Sequence, residues 1–314
     1  MISEKYGKVI KGLGGLYNVR VVENDGTCHI YTCRARGSLH KDEEKVLIGD
    51  NVRISIDTDT PDGIAISEIS ERKNALIRPP MANLDYLFIV FAAKKPSPVL
   101  EVVDKLIAIS IHNNIKPVVI VTKQDLSDAL AYEYADIYKG AGIDTFVTSS
   151  ENGDGVNSLS EYIRRNIRDG ATAAFAGASG VGKSTLMNVL FPELKLITSE
   201  ISKKIERGRH TTRHVEIFDI GGGSEVGLLA DTPGFSLVDF ARFDFFDVED
   251  LPMTFPDITP YAKGCTYADC SHVGEGASEC AVARAAEEGK IAPSRLESYR
   301  NIYKILKEKK YKYE

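Results

Sequence analysis

Residues 177–184 read Gly-Ala-Ser-Gly-Val-Gly-Lys-Ser, and this Gly-x-x-x-x-Gly-Lys-Ser run constrains the fold more than any other part of the chain. The glycines let successive backbone N–H groups turn inward around phosphate oxygens, while the lysine and the hydroxyl supply charge and a metal ligand. Such a loop requires a strand before it and a helix after it. Thr-Ala-Ala-Phe-Ala at 172–176 has the texture of a buried strand, and the Ser-Thr-Leu-Met-Asn-Val-Leu that follows has that of a helix. An α/β domain with a nucleoside triphosphate site is therefore expected.

Two further segments sharpen this expectation. Asp231-Thr232-Pro233-Gly234 ends an apolar strand, where a carboxylate can hold Mg²⁺ through water and a glycine N–H can meet a terminal phosphate. Thr122-Lys123-Gln124-Asp125 follows another apolar strand and resembles the guanine-reading tetrapeptide Asn-Lys-x-Asp. The Asp125 carboxylate can accept from guanine N1–H and the exocyclic amine, a pair that adenine lacks, and a mismatched base would leave it unsatisfied. Thr122 replaces the usual asparagine, and the expected consequence is loss of the amide that ties the base site to the phosphate loop.

The order of these segments is unusual: Thr122–Asp125, Ser149-Ser150, Gly177–Thr185, Thr211-Thr212, then Asp231–Gly234. An ordinary GTPase begins with the phosphate loop and ends with the base-reading segments. A cyclic shift converts one order into the other, so the pattern is that of a circularly permuted GTPase. Permutation is physically tolerable because the termini of a domain usually lie close together on its surface.

The flanks read as separate domains. Residues 1–73 contain strand-like runs, among them LYNVRVV, CHIYTCRA, DNVRISI and GIAISEI, divided by Gly-Gly, Asn-Asp-Gly and Pro-Asp-Gly turns. About five short strands in such a length suit a small barrel of the oligonucleotide/oligosaccharide-binding (OB) type. RKNALIRPPMANLD at 72–85 reads as a linker, and 74–245 as the α/β GTPase domain. Residues 246–314 form a helical region with a capping-box pattern at Ser294 and Glu297. That region also carries Cys265-x4-Cys270-x-His272-x7-Cys280. Three thiols and an imidazole are the donor set of a closed, structural zinc site. Five cysteines in all, an odd and sparse number, argue against a secreted disulfide scaffold.

Composition excludes little else. The chain of 314 residues is 43% hydrophobic and 27% charged with net charge −6, so nucleic-acid contact must come from local basic patches. The longest apolar run, YLFIVFAA, is too short to span a bilayer, and the N-terminus lacks an apolar signal core. A cytoplasmic location is expected.

The N-terminal barrel, the connector, GASGVGKSTLMN, RGRHTTRHVE, LLADTPGF and the terminal Cys/His cluster, in that order, resemble the RsgA (YjeQ/YloQ) family over nearly the whole chain. The resemblance implies a GTP hydrolase that binds the small (30S) ribosomal subunit and its 16S rRNA, assists late maturation, and leaves upon hydrolysis. It implies nucleotide contacts from Thr122, Lys123, Asp125, Ser149, Ser150, Gly177, Ser179, Gly180, Val181, Gly182, Lys183, Ser184, Thr185, Asp231 and Gly234. Ser184, Thr212 and Asp231 would hold Mg²⁺; Cys265, Cys270, His272 and Cys280 would hold one Zn²⁺. Phe235 stands where Ras-like enzymes carry the water-orienting glutamine, so catalysis is expected to fall to Lys183, Thr212 and His210, the last orienting water. Lys203, Lys204, Arg207, Arg209 and Arg213 make the loop around His210 cationic and suited to an RNA backbone. A monomer is expected. The alternative is a GTPase switch acting on a non-ribosomal protein or RNA partner.

Overall fold

The computed structural model describes residues 2–37, 45–60, 63–194, 215–220, 226–232, 239–240 and 242–313. The chain forms two compact units, one of Met1–Tyr86, Tyr162–Phe175 and Ile205–Gly234, the other of Leu87–Glu161, Ala176–Lys204 and Phe235–Glu314.

The first unit opens with β1 (Ile2–Leu13), β2 (Leu16–Val22), β3 (Cys28–Ala35), β4 (Asn51–Asp57) and β5 (Ile64–Ile69). β1 pairs antiparallel with β2 along one part of its length and with β4 along another, and β3 meets β5 in parallel at Arg34↔Ala65. The order β1-β2-β3-β5-β4 thus closes back on β1, which is the five-stranded OB-type barrel. β1 changes partners at Lys8, and at Gly7 just before it a Cβ would lie 2.6 Å from the Arg20 carbonyl oxygen, so only glycine permits the close passage of the strands. Val9, Val19, Val21, Val52, Ile54 and Ile66 fill the interior. Alternation marks four of these strands in the sequence; β1 is the one the pattern conceals, because Glu4, Lys5, Lys8 and Lys11 interrupt it.

The stretch read as a linker is ordered. It forms a short hairpin of β6 (Ala75–Leu76) and β7 (Met81–Ala82). The Asn74 side chain donates to the Leu84 carbonyl at 2.8 Å and accepts from the Leu84 N–H at 3.0 Å. Asn83 accepts from the Lys73 N–H at 2.9 Å and donates to the Gly49 carbonyl at 3.0 Å. Arg72 grips Asp50 with both arms, Nε to Oδ1 at 2.7 Å and Nη2 to Oδ2 at 2.8 Å. Polar side chains satisfy backbone groups that the two prolines cannot.

Along the chain then come β8 (Tyr86–Ala92), α1 (Leu100–His112), β9 (Lys116–Thr122), α2 (Asp128–Gly140), β10 (Asp144–Val147), α3 (Val156–Asn166), β11 (Thr172–Ala176), α4 (Lys183–Leu190), β12 (Glu216–Ile220) and β13 (Gly227–Asp231). β8, β9 and β11 are buried almost throughout, as strands covered on both faces must be. In the second unit β9 lies between β8 and β10, the latter parallel from Asp144↔Val118 to Val147↔Val121. In the first unit β13 runs parallel to β11 and antiparallel to β12, and β12 meets β1 at Lys11↔Glu216. The apolar strand that ends at Asp231 is β13, paired with β12 from Glu216↔Asp231 to Ile220↔Gly227; the glycines between them lie outside the described residues.

The second unit ends with α5 (Thr259–Ala262), α6 (Ala281–Glu287) and α7 (Pro293–Tyr313). Phe240, Leu251, Phe255, Ile258, Val282, Tyr299 and Ile302 are buried there. α7 begins at Pro293, so Ser294 lies inside the first turn instead of capping it. Proline, whose fixed φ suits the first helical position, starts this helix.

Asp50 is fully buried and its only salt-bridge partner among the described residues is Arg72. Replacing Arg72 by alanine would leave a buried carboxylate without a cation, and stability should fall by roughly 3 kcal/mol. A urea midpoint unchanged in Arg72→Ala would contradict this account.

Candidate functional site

The phosphate loop occupies 177–182, between β11 and α4. At Gly177, φ is +153° and a Cβ would lie 2.2 Å from the Val90 carbonyl oxygen on β8. The loop can leave its strand here only because no side chain exists. Gly180 and Gly182 also have positive φ, and Gly182 is the N-cap of α4. Lys183 and Ser184 are its first two residues, half-buried, with Thr185 exposed behind them. Ser179 and Gly180 are exposed and Val181 is buried. An open loop of backbone amides at a helix start, followed by a lysine and a hydroxyl, suits a polyphosphate.

The tetrapeptide at 122–125 lies against this loop. The Thr122 side chain is buried, with Oγ1 3.1 Å from the Phe91 carbonyl oxygen and 2.5 Å from that of Val181. The expected loss of a tie to the phosphate loop is therefore corrected: the shorter threonine hydroxyl donates to the loop directly. Lys123 adopts a left-handed conformation (φ +57°), and its ammonium donates to the Gly180 carbonyl at 2.6 Å and to the Lys95 carbonyl. Thr122 and Lys123 thus bridge two stretches of sequence more than fifty residues apart.

Asp125 sits on the short 3-10 turn Gln124–Leu126. The Ser149 hydroxyl donates to its Oδ1 at 2.5 Å, and Ser149 is itself fully buried. Ser149 Oγ also accepts from the Glu151 N–H at 3.2 Å, which fixes the start of the loop holding Ser150. Ser149 consequently aims the Asp125 carboxylate.

Asp231 ends β13 opposite Glu216 and is half-buried. Thr232 follows, fully buried, donating to the Phe175 carbonyl at 3.2 Å. Both lie in the first unit. Gly234, Thr212 and His210 lie outside the described residues, as does the cationic stretch 203–214 around the last two.

The four candidate metal ligands converge. Their ligand atoms all lie within 4.8 Å of one another. His272 Nδ1 is 3.6 Å from Cys265 Sγ, 3.4 Å from Cys270 Sγ and 3.5 Å from Cys280 Sγ, and Cys265 and Cys280 are 4.0 Å apart. A tetrahedral ion bonded at about 2.3 Å to sulfur and about 2.0 Å to nitrogen would set these edges at about 3.5 Å and about 3.8 Å. The donor set fits such an ion. Arg300 on α7 holds the His272 carbonyl at 2.9 Å, and Cys280 Sγ accepts from the Ala283 N–H at 3.4 Å as the N-cap of α6. Burial, with the neighbouring thiols, pushes the Cys270 thiol up to about 12, and burial pulls His272 below its usual value. A cation would reverse that bias on the Cys270 thiol. Among the described residues no other group of His, Cys, Asp and Glu side chains forms such a cluster.

Sequence reading missed the acceptors supplied by Phe91 and Lys95, and no signal in the sequence could reveal them, because both contribute only backbone carbonyls.

Comparison with known proteins agrees with these features. The RsgA N-terminal domain model matches residues 6–64 and the RsgA GTPase model matches residues 69–241. The small ribosomal subunit biogenesis GTPase RsgA of Bacillus cereus is 38% identical over 311 residues, 98% of this chain and 99% of that protein. The small ribosomal subunit biogenesis GTPase RsgA 2 of Listeria monocytogenes is 40% identical over the same shares. The crystal structure of YloQ, a circularly permuted GTPase, superposes with a TM-score of 0.76 at 34% identity, covering 98% of this chain and 96% of that one. YjeQ from Thermotoga maritima gives 0.77 at 30% identity, covering 97% and 99%. With two adjoining family models spanning barrel and GTPase segments, and relatives alike from end to end, this chain belongs to the RsgA GTPase family.

Proposed function

We propose that the chain hydrolyses GTP to GDP and phosphate on the small (30S) ribosomal subunit and thereby assists its late maturation, with the subunit stimulating hydrolysis and hydrolysis driving release. The observation that carries the nucleotide half is the seam between Thr122–Lys123 and the carbonyls of Val181 and Gly180. It joins a base-reading segment to a phosphate loop that follows it in the chain. The relatives' role in small-subunit biogenesis supports the other half.

In this reading the backbone of Gly177, Ser179, Gly180, Val181 and Gly182 surrounds the phosphates, with Lys183 and Thr185 beside them. Asp125, aimed by Ser149 with Ser150 adjacent, selects guanine. Ser184, Thr212 and Asp231 would hold the Mg²⁺ that accompanies the nucleotide and offsets its charge. Gly234 meets the terminal phosphate and His210 orients the attacking water. The barrel and the cationic loop around His210 contact 16S rRNA. Cys265, Cys270, His272 and Cys280 hold a structural Zn²⁺, the ion whose bond lengths suit the observed edges. The chain acts as a cytoplasmic monomer, divided at 73/74 and 245/246.

Three outcomes are expected. Thr122→Val should weaken GDP binding by roughly tenfold, the worth of one buried hydrogen bond, while Thr122→Ser should keep it. Calorimetry giving equal affinities for wild type and Thr122→Val would reject the seam. Purified small subunits, and not large ones, should accelerate phosphate release, and His210→Ala should remove that acceleration without altering GDP affinity. A stimulated rate that survives in His210→Ala would exclude it. Protein purified without chelator should carry about one zinc per chain, and zinc affinity should fall as pH falls, because the thiols must shed protons to bind. Affinity independent of pH between neutral and mildly acidic solution would speak against thiolate ligation.

A further inference from the structure

The largest fully buried side chain of the described residues is charged: Arg295, near the start of α7. Its Nη2 and Nε donate to Asp257 at 2.7 and 3.0 Å, and its Nη1 donates to Asp104 at 2.7 Å. The guanidinium also lies 4.4 Å from the Phe255 ring centroid. Asp257 and Arg295 belong to the C-terminal helical region, whereas Asp104 belongs to α1, between β8 and β9. The pair Arg295–Asp257 is neutral by itself, so the third charge is not needed to balance it. Asp104 is fully buried, and burial raises its carboxyl above the usual range against the pull of Arg295. Burying an extra carboxylate is costly, and a local need for charge neutrality does not account for it.

The contacts of this cluster lead in two directions. Along α7, Tyr299 packs edge-on against Phe255 with its ring centroid 6.1 Å from that of His272, and Arg300 holds the His272 carbonyl. Asn301 adds a second tie to α1 by donating to Glu101 at 3.1 Å. Towards the nucleotide segments, the buried Tyr138 of α2 faces Asp104, and its ring meets Phe91 edge-on at 5.9 Å. Phe91 supplies the carbonyl behind Thr122. The metal cluster and the guanine-reading segment are therefore the two ends of one packed run of side chains, all inside one compact unit.

We propose that Arg295, through Asp104, is a positioning residue for the guanine pocket, and that metal binding at Cys265, Cys270, His272 and Cys280 and nucleotide binding at Thr122–Asp125 strengthen each other. The inference rests on the guanine and zinc readings above. Its physical basis is geometric: the 2.7 Å hydrogen bond from Arg295 to Asp104 joins two fully buried side chains and is lost on a displacement of about 1 Å, so α7 cannot shift against α1 without breaking it. An ordered metal cluster fixes α7, and α7 then fixes the backing of Thr122. Linkage makes the effect reciprocal.

The test uses the full-length chain. Zinc affinity is measured by competition with a chelator, with and without GDP at concentrations that calorimetry shows to be saturating. GDP affinity is measured on zinc-loaded and zinc-stripped protein. In wild type both affinities should change by the same factor, about fivefold or more. Asp104→Leu removes the link and leaves the neutral Arg295–Asp257 pair; it should still bind zinc and GDP, with the factor reduced towards one. Asp104→Asn, of the same shape, should retain an intermediate factor and serves if the leucine variant does not fold. GDP bound by wild type without any change in zinc affinity would overturn the inference, as would an undiminished factor in both variants. No GDP binding by wild type would overturn the pocket reading itself and this inference with it.

Discussion

A hydroxyl and an ammonium, those of Thr122 and Lys123, hold two parts of the chain in register that sequence keeps far apart. Every other feature of the candidate nucleotide site is arranged around that seam. Gly177 lets the phosphate loop pass close against β8, Phe91 of the same strand backs Thr122, and Ser149 aims Asp125. The rotated order of the segments requires such a seam, because chain connectivity alone does not bring the base-reading end of the pocket to the phosphate end. Threonine makes the connection with a shorter arm than asparagine, directed at a backbone carbonyl.

Charge is used differently in the two units. In the first, ion pairs such as Lys11–Glu216 are partly exposed and contribute little to stability individually. Their role is to fix which strand lies beside which. The Arg72–Asp50 pair has one buried partner and closes the connector onto the barrel. In the second unit, Arg295 and Asp104 are both fully buried, and position matters there more than net energy. The metal cluster follows the same logic, since Cys280 is at once a ligand candidate and the cap of a helix.

Much of this was legible in the residues. Val19 and Val21 alternate with polar neighbours and declare their strand; the continuous apolar runs at β8 and β9 declare a sheet covered on both faces. The spacing of Cys265, Cys270, His272 and Cys280 fixed the donor set before any distance was known. What stayed hidden has a common cause. β1 carries lysines that pair with Glu23 of the barrel and with Glu216 of β12, so its alternation is masked. Arg295 looks like a solvent-facing helical residue, because its partners lie 38 and 191 positions away. Thr122 looks like a weakened asparagine until the Val181 carbonyl is placed beside it. Local pattern reports periodicity; it does not report which distant backbone group completes a hydrogen bond.

The seam at Thr122 also bears on how the chain comes into being. Translation delivers the strand that ends at Thr122 and the serine that aims Asp125 before any of the phosphate loop exists. For that interval the emerging protein holds half a pocket, with Thr122 lacking its later acceptor at Val181. Contacts across long separations form late, since loop closure must come first. A nucleotide held by both halves would therefore not template the early steps, and would stabilise the chain only once the second half has been made.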